Sequence, residues 1–500
     1  MRRVSPLQWL IAAVALYRLS LLGRGAQAFA DEQWHFQSIL FLQALGHGHL
    51  TDALSHVAFS YSRPGLPIVL SLAGGLQVIP FVFGVAASNP VSLLIPTACN
   101  VAISLINVVL VYRIGLLVLD DDALASITVA TVYSLLANSN IYVRHTLPYD
   151  WALCLLLAAI WLMLSRAKTV AVACGAGGLL ALVFAVYPGY YPAVGVAGLV
   201  LVGDRAERDR APRWQLAAGF VAGFAAVILA LDALCRVGGL SYFAHIRQMV
   251  GGQTQGSFEE GWSFLPAYLI TVERGGGLVL LMGAAAFVAR ALFDLARGMR
   301  LRRVHWLVAA ATVAWAWQAF ASASLHSSVL YGRLIHPWFP FLAWALGDAI
   351  VWARRRPARA ALCAAAMAAT VVSWAIFANQ YYRVAYPADV LYALGIDTAR
   401  LPAGAMRCEL QSIATYASPP PLNRSTGYPY SNGTDYVLDN FCQGFPGRTE
   451  NLELKREHLE LAYQGPHFMG FPAYGFEGLG PEDRMLMRER AYTVRVYRTR

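Results

Sequence analysis

The stretch AFADEQWHFQSILFLQALGHGH, residues 28–49, follows the first apolar segment of the chain and carries two adjacent carboxylates, Asp31 and Glu32. Behind them Trp34, Ile39, Leu40, Phe41, Leu42 and Leu45 give one apolar face, which predicts an amphipathic helix over about 31–47, lying at a membrane interface. A carboxylate at such a boundary is partly desolvated, which raises its basicity and suits it to taking a proton. The same acids would also sit well against the positive end of the helix dipole. The choice between those roles depends on which side of a bilayer this stretch occupies.

Of the 500 residues, 57% are hydrophobic and only 14% are charged, and the mean hydropathy is +0.48. A soluble domain carries about 25% charged residues, so this chain has too little polar surface to cover itself in water. Long apolar runs separated by short Arg-rich links recur from Leu7 to about Ala378. Each run is near the ~20 residues needed to cross a bilayer, which predicts a polytopic α-helical membrane protein. The net charge of +10 sits in those links. Membrane topology therefore explains it, and no nucleic-acid partner is expected. Of the seven cysteines, five fall in or beside apolar segments and read as small packing residues. Cys408 and Cys442 could pair if their region is extracytoplasmic.

Arg2 and Arg3 put the N-terminus in the cytoplasm, ahead of an uncleaved first helix over about 7–23. The links SRAK (165–168), GDRAERDRAPR (203–213), ARGMRLRR (296–303) and ARRRPAR (353–359) are basic and therefore cytoplasmic. Between them fit helices near 168–187 and 188–203, 213–235 and 263–290, 304–323 and 333–352, with a last one near 358–378. Upstream, helices near 91–112, 123–143 and 150–165 complete the set, and the acids DDD (120–122) count little in the orientation rule. Residues 64–84 look apolar enough to span, yet spanning would invert every later link. The consistent solution keeps 24–90 outside as one loop bearing two interfacial helices, 31–47 and 66–83. The expected fold has about eleven membrane helices within residues 1–384, followed over 385–500 by a small α/β extracytoplasmic domain. The expected location is the inner (plasma) membrane, crossed many times.

This topology gathers the suspicious polar residues on one face. The first loop contributes Asp31, Glu32, four histidines and Arg63; the stretch NIYVRHTLPYD contributes Arg144, His145, Tyr149 and Asp150. VYPGYYP brings Tyr187, Tyr190 and Tyr191, the loop 236–262 brings His245 and Arg247, and the loop 324–337 brings Tyr331, Arg333 and His336. The other face carries mostly arginine. The histidines fit no metal-ligand spacing, so no metal site is expected.

An Asp-Glu pair just outside the first membrane helix, followed by an interfacial helix, resembles the signature of the GT-C superfamily of integral-membrane glycosyltransferases. SRPGLPI (62–68) is similar to the basic-Pro-Pro-Leu start of the second interfacial helix in the branch with protein O-mannosyltransferases and the lipid A aminoarabinose transferase, with Gly65 in place of the second proline. RHTLPYDWALCLLLAAIWL resembles that branch's second acidic loop, and VLYGRLIHPWFPFLAWALG the Arg-containing start of a late helix. The usual Lys-Gly of the middle helices is replaced by Tyr187-Pro188-Gly189.

The resemblance implies an inverting transfer of a sugar from a polyprenyl-phosphate donor to an acceptor hydroxyl on a glycan, lipid or protein, with membrane lipids around the donor's tail. Asp31 would be the catalytic base. Arg333, and behind it Arg63 and Arg247, would bind the phosphate that leaves. Asp150 would orient the acceptor or position Arg144, Glu32 would bind sugar hydroxyls or support the loop, and Tyr331 and His336 would complete the substrate site. No cofactor is expected, although the resemblance leaves room for a divalent ion such as Mg2+ or Mn2+ between Asp31 and Asp150. The rival readings are a transporter or flippase and a polysaccharide polymerase or ligase handling lipid-linked sugars.

Overall fold

The computed structural model describes residues 5–22, 33–59, 63–82, 90–143, 147–203, 211–253, 261–326, 330, 332–353 and 355–383, and five short strands between 436 and 499. Asp31, Glu32, Arg144, Tyr331, Cys408 and Cys442 lie outside the described residues.

Helix α1 (Pro6–Ser20) starts at a capping box, with Ser5 and Gln8 satisfying each other's backbone amides. Three helices follow: α2 (Gln33–Gly46), α3 (Leu50–Phe59) and α4 (Gly65–Val82). The first and third cover nearly the residues, 31–47 and 66–83, where helices were expected, whereas α3 occupies residues read as loop. Next come α5 (Pro90–Val118), α6 (Ala123–Leu135), the single turn α7 (Asn138–Ile141), α8 (Tyr149–Ser165) and α9 (Val170–Val186). A 3-10 turn (Pro188–Tyr190) leads into α10 (Tyr191–Gly203), then α11 (Arg213–Val237) and α12 (Tyr242–Gln253). The bundle ends with α13 (Gly261–Thr271), α14 (Arg274–Ala296), α15 (Arg303–Ala323), the turn α16 (Gly332–Ile335), a 3-10 turn (His336–Trp338), α17 (Phe339–Trp352) and α18 (Arg356–Arg383).

Among the described residues, six segments are long and apolar enough to cross a bilayer: Ile95–Val118, Arg213–Val237, Arg274–Ala296, Arg303–Ala323, Gly332–Trp352 and Arg356–Asn379. They make the chain a helical, multi-pass membrane protein. The expectation was about eleven; five of the expected spans, α1, α6, α8, α9 and α10, are helices of only 13–17 residues, and two expected spans are broken locally. The expected span 123–143 is interrupted where Leu136 turns extended, and 263–290 is interrupted at Glu273–Arg274, where Arg274 takes a positive φ of 52°. Helices α6, α8 and α9 are apolar but shorter than the six.

With no hydrophobic drive between helices in lipid, close association relies on small residues that let backbones approach. Helices α9 and α11 meet in this way. A Cβ on Gly177 would run into the Phe220 carbonyl, and one on Gly223 into the Cys174 carbonyl. Buried tryptophan N–H groups are satisfied across helices: Trp344 donates to the Val111 carbonyl (3.1 Å), Trp338 to Gln318 (3.1 Å) and Trp151 to Asn100 (2.6 Å). The five described cysteines are all unpaired, in keeping with a packing role.

The two ends of the bundle differ chemically. At one end, Asp120 and Asp121 adopt left-handed backbone (φ 58° and 57°) and Asp122 caps α6 through the Ala125 amide (2.9 Å). Asp120 pairs with Arg302 (2.7 Å) and Asp122 with Arg359. Fully buried Asp348 of α17 pairs with Arg302 and also with Arg290 of α14 (3.2 Å). The Arg302 amide donates to His305 Nδ1 (3.1 Å), which leaves the hydrogen on Nε2, facing Asp348 at 3.6 Å. The acids of the 120–122 run thus bind the arginines of neighbouring links.

The chain passes α5 in a definite direction. Asn107 sits beside Asp150 at the start of α8, and Gly115 packs on Ser126 at the start of α6. Arg18, near the end of α1, reaches Asn140. The segment between α1 and α5 therefore begins and ends at the same end of the bundle, opposite the aspartate–arginine network.

Towards the C-terminus, β1 (Tyr436–Asp439), β5 (Arg495–Thr499) and β2 (Leu459–Gln464) form an antiparallel sheet in that spatial order, with a register shift between Leu461 and Tyr463. Strands β3 (Phe468–Met469) and β4 (Ala491–Tyr492) pair separately. Strands are the only regular elements described within 385–500.

Replacing Asp348 with alanine removes the acceptor shared by Arg290 and Arg302 at a buried site. The expected cost is about 3–5 kcal/mol, read as a lowered thermal midpoint of the detergent-purified protein. An unchanged midpoint would mean that the network contributes nothing to holding α14, α15 and α17 together.

Candidate functional site

At the end of the bundle where α6 stops and α8 starts, buried polar groups from six parts of the chain converge. Asp150, in the first turn of α8, accepts from the Asn107 side-chain amide (3.1 Å), which also donates to the Asp150 carbonyl (3.0 Å). His336 Nε2 lies 3.8 Å from the same carboxylate. The other ring nitrogen, Nδ1, is 2.6 Å from Asn138 Oδ1. Asp150, His336 and Asn138 are all buried.

Asn138 opens the single turn α7 and is held from several directions. Its amide nitrogen donates to the Gly332 carbonyl and the Tyr268 hydroxyl, both at 2.9 Å. Its backbone N–H donates to Glu273 Oε1 (2.8 Å), and the Ala137 N–H to Glu273 Oε2 (2.7 Å). Glu273 stands at the break between α13 and α14, and its carboxylate caps the exposed amides of the α6–α7 break. Each interruption supplies what the other lacks. Two residues on, Asn140 accepts from buried Arg18 Nε (2.9 Å) and donates to the Leu136 carbonyl (2.6 Å).

Four buried tyrosines form an edge-to-face series beside this cluster. Tyr142 and Tyr149 have ring centroids 4.9 Å apart, Tyr149 and Tyr187 4.8 Å, and Tyr187 and Tyr190 5.1 Å. Tyr142 also contacts the His336 ring at 5.8 Å. Two half-buried arginines sit on the series. Arg333 Nη1 donates to the Tyr149 hydroxyl (3.0 Å), and the Arg63 guanidinium lies over the Tyr187 ring at 5.2 Å.

Gly65 and the Tyr187-Pro188-Gly189 turn each have a packing role here. A Cβ on Gly65 would lie 3.0 Å from the Ala185 Cβ and 3.2 Å from that residue's backbone carbon, so α4 starts against the end of α9. This approach brings Arg63 to Tyr187, two residues beyond Ala185. Gly189 in the following turn abuts Leu334 of α16, where a Cβ would come within 2.5 Å. The Tyr-Pro-Gly turn is therefore what α16 packs against, next to Arg333.

Of the expected site residues, Arg63, Asp150, Arg333 and His336 thus meet in one neighbourhood. Arg247 does not join them. It is exposed on α12, a helix tied to α11 by Asp232, which accepts from the Tyr242 amide (2.8 Å). Asp31, Glu32, Arg144 and Tyr331 lie outside the described residues. The described loop histidines do not converge: His47 Nδ1 is 2.7 Å from the Gln43 carbonyl, and His56 contacts Gln37 and Asp52. Burial lowers the His56 pKa, and Asp52 partly offsets that. Among the described residues no three His, Cys, Asp or Glu side chains cluster as metal ligands.

Arg18, Asn107, Asn138 and Glu273 escaped the sequence reading. The available signal was a lone polar residue inside or between apolar runs, as in ALYRLSLL and LITVERGGG, since such residues in membrane segments are costly and face the protein interior. No family model, curated protein or solved structure matches the chain.

A valine at Gly65 would press α4 away from the α9 backbone and Arg63 away from Tyr187. Overpacking of this kind costs about 1–3 kcal/mol. The expected result is a lower thermal midpoint for Gly65→Val in lipid nanodiscs, while Gly195→Val, at a position with open space, changes it little.

Proposed function

We propose that the chain is an inverting glycosyltransferase of the GT-C type, moving a sugar from a polyprenyl phosphate to an acceptor hydroxyl on the extracytoplasmic side of the plasma membrane. The observation that carries the reading is the pair of half-buried arginines, Arg63 and Arg333, mounted on adjacent rings of the tyrosine series and next to buried Asp150. A guanidinium offers forked donors to phosphate oxygens, and a tyrosine that orients it reduces the ordering needed when an anion arrives. The bundle end with these groups is opposite the aspartate–arginine network, in keeping with a cytoplasmic N-terminus and basic links facing the cytoplasm.

In this reading Asp31 accepts the proton of the acceptor hydroxyl as its oxygen bonds to the anomeric carbon. The bond from that carbon to the phosphate oxygen breaks, and the electron pair leaves with the phosphate. Phosphate is a weak base and needs charge stabilisation rather than a proton, which Arg333 and Arg63 supply. Asp150, fixed by Asn107, orients the acceptor. The strands of the C-terminal segment belong to an extracytoplasmic domain.

The test is mass spectrometry of polyprenyl-phosphate lipids in cells lacking this chain and in cells re-supplied with native, Asp31→Asn or Arg333→Ala protein. One glycosylated polyprenyl phosphate should accumulate in the deletion and clear with the native chain. It should stay within about twofold of the deletion level with Asp31→Asn and clear only partly with Arg333→Ala. Full clearance by Asp31→Asn would reduce the opening acids to helix-end charges and favour transport over transfer.

A further inference from the structure

The buried cluster contains a geometric constraint that the transfer reading does not use. The Gly332 carbonyl can only accept, so the Asn138 atom 2.9 Å from it must be the amide nitrogen. The Asn138 oxygen therefore faces His336 Nδ1 at 2.6 Å, and an oxygen that only accepts requires the hydrogen to be on Nδ1. In the neutral ring Nε2 is then the bare nitrogen. It is buried, makes no hydrogen bond among the described residues, and lies 3.8 Å from Asp150 Oδ1.

We infer that Asn138 is a positioning residue. Anchored by the Glu273 carboxylate, it fixes the tautomer of His336 so that a basic Nε2 confronts Asp150.

The anchor is specific in form. Glu273 accepts from two consecutive backbone amides, those of Ala137 and Asn138, one with each oxygen. A glutamine in its place would offer one oxygen and one N–H2 group, and the N–H2 would face a backbone donor. The turn α7 would then shift, and with it the Asn138 side chain. Tyr268 is held by the same amide and packs on Phe339, just beyond the His336–Trp338 turn, at 6.3 Å, so the His336 ring has support on that side as well. With Nδ1–H held by an amide oxygen, the ring takes up and releases a proton only at Nε2, beside Asp150. This refines the site proposed above and rests on that reading for its role in transfer, but the tautomer itself does not depend on it.

The experiment uses the full-length chain in lipid nanodiscs with 15N-labelled histidine, the His336 signals being assigned by their loss in His336→Gln. Native protein should give the Nδ1–H tautomer alone wherever the ring is neutral. Asn138→Ala, which keeps both backbone bonds to Glu273, should spread the signal over both tautomers, and Glu273→Gln should move it the same way. A native ring carrying its hydrogen on Nε2 would overturn the inference. So would an unchanged tautomer in either variant that elutes as a folded monodisperse species; if one variant does not, the other and the native spectrum decide. Binding of undecaprenyl monophosphate is measured on the native sample. Failure of the native protein to bind that lipid would count against the transfer reading and leave the tautomer result standing.

Discussion

The side chain and backbone of Asn138 join four parts of the structure. In one residue, α7, the break between α13 and α14, the start of α16 and the following 3-10 turn are joined by hydrogen bonds of 2.6–2.9 Å. In an apolar environment an unpaired amide costs several kcal/mol, so each of these bonds is expensive to leave unmade. That constraint ties two helix interruptions to each other. The carboxylate at one break satisfies the amides at the other, and neither could stand alone inside a bilayer.

The interruptions are also what make a site. Uninterrupted spans at 123–143 and 263–290 would bury only apolar faces. Interrupted ones place non-helical backbone where it lines protein rather than lipid, the condition under which a membrane tolerates it. Asp150, His336, Glu273 and Arg18 are buried in hydrogen bonds near the tyrosine series, and the half-buried Arg63 and Arg333 contact the Tyr187 ring and the Tyr149 hydroxyl. At the other end the charges are matched instead: Asp348 and the 120–122 acids meet Arg290, Arg302 and Arg359. One end is joined by ion pairs, and at the other Arg333 donates to the Tyr149 hydroxyl while Arg63 lies over the Tyr187 ring.

Much of this was legible in the chain. Apolar runs and basic links located nearly every helix, because in a membrane the length and sidedness of a segment follow from local composition. Four of the expected site residues, Arg63, Asp150, Arg333 and His336, do come together, since all sit at helix starts that topology places at one end. The helix α3 was missed because its histidines, Asp52 and the preceding Gly turn read as loop. The breaks at Leu136 and Glu273 were missed because hydropathy is averaged over a window and does not register one extended residue or one positive φ. Arg247 was grouped with the others by side alone, and side does not specify which face of α12 it occupies.

The sequence by itself determined the class of the molecule, the placement of its helices and the crowding of polar residues towards one end. These depend on transfer energies that each segment carries with it wherever it packs. Only the tertiary structure decided which of those polar residues meet. The amide of Asn138 and the carboxylate of Glu273 are 135 positions apart, and no periodicity links them. Their pairing lets the carboxylate at one break satisfy the backbone amides at the other where water cannot.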